Sequence, residues 1–277
     1  MGTVLLLVIL SPLIISAAVV CVTFLLSWWV FPGGGSRGPH DTFTSRVIGV
    51  IVVVFLEWLS TSWVLYTLPF YWVRVGGPRR RLQAGRVPVV ILTGFFESPL
   101  TMLLLRSRLE HALGVPVRVL RPKNYFAGLQ TQAADYREQI EEFCEETSAK
   151  QVDLVGHSMG GLIARYLIER SGYLDRIRTI ITIGTPHLGS ALCRLAPGRS
   201  LRQMRRGSAF LEELNSGSTL QEVRVIGICS THDNLVIPWN CALSPRGDNF
   251  IIRYQGHVTL ILSGEVARIV IRELRSV

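Results

Sequence analysis

The sequence has little charge and few cysteines for its length. Of its 277 residues only 18% are charged, 48% are hydrophobic, and the mean hydropathy is +0.35. This composition excludes a disordered chain and a collagen-like chain. The five cysteines are odd in number and show no CxxC spacing, which argues against a zinc site or a disulfide framework. The sequence therefore predicts apolar membrane segments joined to one globular domain.

Two long apolar runs occupy the first 73 residues. Thr3 to Phe31 contains no charged residue, and Val47 to Val73 contains only Glu57. Each run exceeds the roughly 20 residues that a helix needs to cross the hydrocarbon core. Because the link between them, Pro32 to Arg46, is short, we predict a transmembrane helical hairpin over residues 1–73 (about 3–31 and 47–73). The alternative for the first run, a cleaved signal peptide, is typically shorter and begins with basic residues.

Glu57 is the ionisable side chain within the second run. A charged side chain near the bilayer centre costs about 2.5–3.5 kcal/mol on insertion scales. One interpretation is a polar contact to Ser16, Thr23 or another subunit. The other, which the sequence alone favours, is a carboxyl group that inserts protonated or lies closer to the membrane surface.

Basic residues flank the hairpin unevenly. The interhelical link holds Arg37 and Arg46, whereas five arginines follow the second run: Arg74, Arg79, Arg80, Arg81 and Arg86. Cytoplasmic segments carry the excess of basic residues, so we expect the chain after the hairpin to face the cytoplasm. Residues 74–85 are then a basic juxtamembrane linker.

The surplus positive charge lies in the globular part. The first 73 residues hold two basic and two acidic residues, so the net charge of +9 belongs to the remainder. The arginines are scattered and accompany no nucleic-acid-binding motif, so we expect no nucleic-acid partner. An anionic membrane leaflet and a genomic preference for arginine are both open as explanations.

Strand-like and helical segments alternate from residue 86 to residue 277. The strands are predicted at Val87–Leu92, Val115–Leu120, Gln151–Val155, Ile177–Ile183, Val223–Cys229 and Phe250–Tyr254. The helices are predicted at Leu100–Leu113, Gln130–Thr147, Gly160–Arg170 and Gly264–Arg275. This alternation predicts an α/β fold with a mostly parallel central sheet and helices on both faces.

A candidate nucleophile, Ser158, lies in the motif Gly156-His157-Ser158-Met159-Gly160-Gly161. The motif follows a predicted strand and opens a predicted helix. A sharp turn there exposes the serine hydroxyl, and Gly156 and Gly160 remove the side chains that would clash in it. Because glycine is frequent in the chain, the placement of the motif is more informative than the pattern itself.

A serine hydroxyl needs a base, and the base needs a carboxylate that orients it. His257 follows the last predicted strand in Gly256-His257-Val258 and is the candidate base. Asp233 follows the strand before it and is the candidate acid, with Asp248 as the alternative. This order of serine, acid and histidine is the one found in folds of this kind.

Two backbone N–H groups are needed to bind the oxyanion that forms on the substrate. Met159, directly after the nucleophile, supplies one of them. The loop after the first strand, Leu92-Thr93-Gly94-Phe95-Phe96, is expected to supply the other from Phe95, with Phe96 as the alternative.

These motifs make the chain resemble the α/β-hydrolase superfamily, and within it the bacterial triacylglycerol lipase and esterase type. Matching residues are Gly156 to Gly161, Ile183 to Ser190, Asp233 with Pro238, and Gly256-His257, within Arg86 to Leu274. The resemblance implies the same catalytic triad (Ser158, Asp233, His257) and the same oxyanion donors (Phe95, Met159). The mechanism requires no cofactor and no metal, and the sequence shows no carboxylate cluster for the structural calcium that some lipases of the family carry. The sequence departs from the family at Thr93, where a histidine is usual, which weakens any transfer of substrate preference.

The segment from about 187 to 221 is predicted to form a short cap. Its leucines and Met204 alternate with arginines, a pattern that fits either a lipid-binding stripe or a solvated cap over an apolar pocket. The sequence thus predicts a membrane-anchored serine hydrolase acting on lipid-like acyl esters. A thioesterase, an amidase, an acyltransferase and a non-catalytic tethered binding domain are alternatives, and protein partners and oligomeric state are not indicated.

Overall fold

The computed structural model describes residues 2–30, 42–76, 85–217 and 222–276. Parts of the predicted interhelical link, of the basic linker and of the cap lie outside these ranges. Arg37, Arg79, Arg80 and Arg81, on which the predicted orientation partly depends, also lie outside the described residues.

A parallel sheet forms the centre of the globular part. Its strands are β1 (Val89–Leu92), β2 (Val117–Leu120), β3 (Val152–His157), β4 (Ile177–Ile183), β5 (Arg224–Ser230) and β6 (Asp248–Ile252). They lie in the order β2-β1-β3-β4-β5-β6, and every pair is parallel. The predicted α/β fold is confirmed. The order reverses between β1 and β3, and ligands of open α/β sheets bind at the carboxyl ends of strands at such a point.

Helices cover both faces of the sheet. Among the described residues of the globular part, the α-helices are α3 (Leu103–Leu113), α4 (Leu129–Thr147), α5 (Met159–Glu169), α6 (Arg199–Gln203), α7 (Ala209–Asn215), α8 (Thr259–Leu262) and α9 (Gly264–Arg275). One buried cluster joins α4 through α7 to the sheet, and a second joins α3, α8 and α9 to the opposite face. Two covered faces explain why the strands read as continuous apolar runs.

The element boundaries agree with the sequence prediction to within a few residues, with informative exceptions. Strand β6 begins two residues earlier than predicted and ends at Ile252, before Tyr254 adopts a positive φ of 55°. The short helices α6, α7 and α8 were not predicted, because segments of four to seven residues offer too few periodic positions to show an apolar face.

The N-terminal residues form two helices, α1 (Gly2–Val30) and α2 (Phe43–Thr67). Leu10–Val30 and Phe43–Phe70 are long and apolar enough to span a membrane. Signal sequences and the buried core helices of soluble proteins can have the same length and composition. The two helices pack through Val20, Phe24 and Val53. Their outer surface exposes large apolar side chains, among them Ile14, Ile15, Leu25, Trp29, Ile48, Ile51 and Phe55.

The inner surface of the helix pair contacts the globular part. The Asn234 amide nitrogen donates a hydrogen bond to Thr23 Oγ1 at 2.8 Å, and Ser27 Oγ donates to the Asp233 carbonyl oxygen at 3.4 Å. A Cβ atom added at Gly49 would lie 2.5 Å from the Tyr254 ring, so α2 packs closely there. The helix pair therefore has one apolar exposed side and one side that packs against the loops after β5 and β6.

Candidate active site

Ser158 lies at the turn between β3 and α5, as the motif predicts. Its backbone has φ 51° and ψ −119°, a conformation that residues with a Cβ rarely adopt. The turn is held by the Ser158 N–H, which donates to the Ile183 carbonyl oxygen at 2.8 Å. A Cβ at Gly156 would overlap the Gly161 backbone, and one at Gly160 would overlap the Leu92 carbonyl oxygen. Both glycines are therefore required by close backbone approach.

His257 and Asp233 lie together beyond the ends of β6 and β5. His257 Nδ1 is 2.9 Å from Asp233 Oδ2, and both side chains are buried. The other carboxylate oxygen, Oδ1, accepts hydrogen bonds from the Leu235 and Val236 N–H groups at 2.9 and 2.8 Å. The carboxylate is thus fixed by the backbone on one side and oriented toward the imidazole on the other.

Burial and charge act in opposite directions on this imidazole. Burial lowers the pKa of His257, but the hydrogen-bonded charge of Asp233, with further contributions from Glu57 and Glu97, raises the pKa above its ordinary value. The raised pKa reflects stabilisation of the protonated imidazole by surrounding carboxylates.

Asp248, the alternative acid, is not brought to this place. It is exposed at the first position of β6, opposite Ile226 in β5. His257 lies past the other end of that strand. In a parallel sheet the two ends of a strand point to opposite edges, so the structure separates Asp248 from the candidate base.

Ser158 and His257 line one apolar cavity of about 300 Å³. The cap segment contributes to its wall, with Met204 and Leu201 buried against it. Helices α1 and α2 also contribute, through Val19, Thr61, Val64 and Leu65. Leu195 points away and is 71% exposed, so the predicted apolar stripe of the cap divides between the cavity and the surface.

The loop after β1 passes close to Ser158. A Cβ added at Gly94 would lie 3.0 Å from the Ser158 Cβ, and Phe95 follows at the cavity wall. Met159 is the first residue of α5, where the backbone N–H groups of a helix have no partner within the helix. Phe95 therefore lines the cavity with Ser158, and Met159 directly follows the serine; their role as oxyanion donors stays a prediction.

Two functional-site neighbours were missed by the sequence prediction. Glu97 Oε2 accepts a hydrogen bond from the Gly94 N–H at 2.6 Å, and Glu97 Oε1 lies 2.7 Å from His157 Nδ1. The Glu97 side chain therefore connects the loop after β1 to the turn that carries Ser158. Asn234 receives the His257 N–H at 3.0 Å. Neither residue could be recognised from local sequence, because the contact that brings each into the site is made with a residue distant along the chain.

Thr93, where the sequence departs from the family pattern, is buried beneath this loop. Its hydroxyl lies 3.3 Å from the Tyr136 hydroxyl. Within the described ranges no group of three or more His, Cys, Asp and Glu side chains is arranged to hold a metal ion. The absence of metal and cofactor from the reaction stays a prediction.

Known proteins are similar to this chain over part of its sequence. The sequence model of the palmitoyl protein thioesterase family matches residues 88–223. A triacylglycerol lipase of Vibrio cholerae is 29% identical over 121 residues, which are 41% of this chain and 36% of the relative. A triacylglycerol lipase of Pseudarthrobacter phenanthrenivorans is 41% identical over 51 residues, 18% of this chain and 15% of the relative. The matched part thus spans about a third or less of these curated relatives.

Solved structures extend the similarity over more of the chain. The mature lipase BlEst2 of Bacillus licheniformis aligns with a TM-score of 0.62 at 16% identity, covering 73% of this chain and 97% of the lipase. A structure reported for the metagenome-derived lipolytic enzymes LipS and LipT aligns with a TM-score of 0.54 at 16% identity, covering 69% and 94%. The chain therefore has the α/β-hydrolase fold, and the resemblance to the lipases and esterases of that superfamily is confirmed.

Proposed function

We propose that the chain is a membrane-anchored serine hydrolase that cleaves carboxylic esters with apolar acyl groups. The observation that carries the proposal is the 2.9 Å pairing of His257 with Asp233 beside a cavity that Ser158 also lines. An imidazole oriented by a buried carboxylate, in the wall of the same cavity as a serine on a strained strand-to-helix turn, supports nucleophilic acyl transfer.

In the proposed reaction Ser158 Oγ attacks the ester carbonyl carbon while its proton passes to His257 Nε2. The N–H groups of Phe95 and Met159 bind the oxyanion of the tetrahedral intermediate. The intermediate collapses to an acyl-serine, and the leaving alcohol takes the proton from His257. A water molecule then attacks the acyl carbon, His257 accepts its proton, and the carboxylic acid leaves as Ser158 recovers its hydrogen. Asp233 stabilises the imidazolium at each stage.

Apolar acyl groups are proposed because the cavity wall is formed mainly by aliphatic and aromatic side chains. Such a cavity binds hydrocarbon by removing it from water. Esters are favoured over thioesters, because the curated relatives are triacylglycerol lipases and the lipase BlEst2 aligns over 73% of this chain, whereas the match to the palmitoyl protein thioesterase family is limited to residues 88–223.

Fluorophosphonate labelling of the purified full chain tests the catalytic proposal. The wild type is expected to label and to hydrolyse p-nitrophenyl esters, and Ser158→Ala is expected to lose both activities. Ser107→Ala, at an exposed position of α3, is the matched control and should keep both. A graded series of acyl lengths, with one matched thioester, then defines the substrate. A wild type that neither labels nor hydrolyses would leave a non-catalytic binding domain.

The membrane arrangement is part of the same proposal. Residues 1–73 form the anchor, 74–85 the basic linker, and 86–277 the catalytic domain with a cap at about 187–221. The apolar outer surface of α1 and α2 supports contact with lipid, and their inner side, which packs on the loops after β5 and β6, holds those loops of the catalytic domain at the membrane. We expect the chain to resist carbonate extraction and the catalytic domain to be protected from protease inside right-side-out vesicles. Digestion of the domain in those vesicles would reverse the proposed cytoplasmic orientation.

A further inference from the structure

The carboxylate of Glu57, in the middle of helix α2, is bound to the loop that carries His257. One oxygen accepts the Val258 N–H at 2.8 Å, and the other accepts the N–H and the hydroxyl of Thr259, each at 2.9 Å. The Glu57 side chain is completely buried. The Glu57 carboxylate does not contact Ser16 or Thr23, the partners that the sequence suggested. Ser16 is hydrogen-bonded to Ser62, and Thr23 is hydrogen-bonded to Asn234.

Gly256 makes this contact possible. A Cβ added at Gly256 would overlap the Glu57 carboxylate, so the residue before the candidate base leaves the space that the carboxylate occupies. Gly256 belongs to the motif that resembles the family, and its contact with the Glu57 carboxylate is a further reason, specific to this chain, for a glycine here. The loop is shaped to receive a side chain from the N-terminal helices.

The other side of the same loop is held by helix α1. The His257 N–H donates to Asn234 Oδ1 at 3.0 Å, and the Asn234 amide nitrogen donates to Thr23 Oγ1 at 2.8 Å. The backbone of His257 is therefore fixed on its N-terminal side through α1 and on its C-terminal side through α2. Both restraints come from the segment that the sequence identifies as an anchor.

We propose that Glu57 is a positioning residue for His257, so that the N-terminal hairpin is a working part of the active site and not only a tether. The role rests on the proposed function, because it assigns Glu57 to the base of that reaction. Hydrogen bonds to two successive N–H groups fix the direction in which the loop leaves His257. A carboxylate is suited to this, since charge-assisted hydrogen bonds are shorter and stronger than neutral ones.

In its ionised form Glu57 also acts on the charge of the same imidazole. The titratable groups that face His257 are Asp233, Glu57, Glu97 and His157, whose ring centre lies 4.8 Å from that of His257. Three of these are carboxyl groups, and each favours protonated His257. Removal of the charge on Glu57 therefore lowers the pKa of His257, whereas a change that only loosens packing admits water, relieves the burial and raises the pKa.

Two substitutions separate the effect of the length of the Glu57 side chain from the effect of its charge. Glu57→Gln keeps the length and removes the charge; Glu57→Asp keeps the charge and shortens the side chain. Both are measured in the purified full chain in detergent, as pH profiles of ester hydrolysis and of fluorophosphonate labelling. We expect kcat to fall about 10- to 100-fold in both, the cost of misplacing a catalytic group by roughly 1 Å. The acidic limb of kcat/KM should move to lower pH in Glu57→Gln and stay near the wild-type position in Glu57→Asp.

Ser62→Ala is the matched control, because Ser62 Oγ contacts Ser16 Oγ at 2.7 Å and so joins the two helices. It should leave kcat and the limb unchanged. Equal losses in Ser62→Ala and Glu57→Gln, or a Glu57→Gln chain with wild-type kcat and limb, would overturn the positioning role.

A titration of histidine-labelled protein by NMR follows His257 without reference to turnover. The His257 pKa should be lower in Glu57→Gln than in the wild type, and an unchanged pKa would overturn the role of the Glu57 charge. If the wild type neither labels nor hydrolyses esters, the proposed function fails, and this titration still decides whether Glu57 acts on His257.

Discussion

Replacement of Asp233 by asparagine tests the arrangement of the proposed triad most directly. Both backbone hydrogen bonds to this side chain, from Leu235 and Val236, end on Oδ1, whereas Oδ2 lies nearest to His257 Nδ1 at 2.9 Å. The asparagine amide oxygen can keep the position of Oδ1. Its NH₂ group then takes the place of Oδ2 and donates to His257 Nδ1.

This exchange reverses the direction of the hydrogen bond to the imidazole. His257 Nδ1 lies 3.1 Å from the retained oxygen but closer, at 2.9 Å, to the position of the NH₂ group, so we expect Nδ1 to accept from NH₂. The imidazole proton then moves to Nε2, and Nε2 can no longer take the proton of Ser158. In a serine protease the equivalent change lowers kcat about 10⁴-fold. We expect a loss of similar size here, which corresponds to about 5.4 kcal/mol of transition-state stabilisation. The fold should survive, because the two backbone bonds are retained and only about 1–3 kcal/mol of hydrogen bonding to a charged group is lost.

The assay is kcat for a short p-nitrophenyl ester, together with the rate of fluorophosphonate labelling and a thermal unfolding curve. Asp248→Asn, at the exposed start of β6, is the control and should behave as the wild type. An Asp233→Asn chain that keeps more than a tenth of the activity would refute the assignment. So would an equal loss in Asp248→Asn, which would restore the alternative acid.

Three further predictions concern the base, the serine turn and the cavity. The acidic limb of the kcat/KM profile should lie above pH 6.5, the ordinary pKa of histidine, because the pKa of His257 is raised. Protonation of His257 should also stabilise the fold: this contribution is complete below pH 6.5 and is lost as the pH rises through the raised pKa. Gly160→Ala should destabilise the fold by about 1–3 kcal/mol in thermal unfolding, since its Cβ would overlap backbone of β1, whereas Gly264→Ala, with open space around it, should not. Leu65→Trp should fill part of the cavity and so reduce the hydrolysis of long acyl esters more than that of short ones. Leu59→Trp, on the exposed side of α2, is the control and should change neither rate. Equal effects of the two substitutions on long esters would place the acyl chain outside this cavity.

Structural features were predicted correctly from the sequence where they depend on neighbouring residues. The turn at Ser158 needs glycines two residues before and after it, so the motif alone indicated a strained turn. The last helix, Gly264–Arg275, was predicted with its observed limits, because its apolar residues recur at helical spacing over three turns. Strand β6 was displaced by two residues in the prediction, because strand ends depend on pairing with a neighbour that the sequence does not identify.

The sequence by itself determined the alternation of strands and helices, and with it the edge of the sheet at which Ser158, Asp233 and His257 would follow strand ends. Only the tertiary structure decided which polar groups meet there. The partners of Glu57 stand 201 and 202 residues away along the chain, and a buried carboxylate inside an apolar run carries no local sign of them. The physical reason is that strand and turn formation depend on neighbouring residues, whereas the partner of a buried charge depends on how separate helices pack.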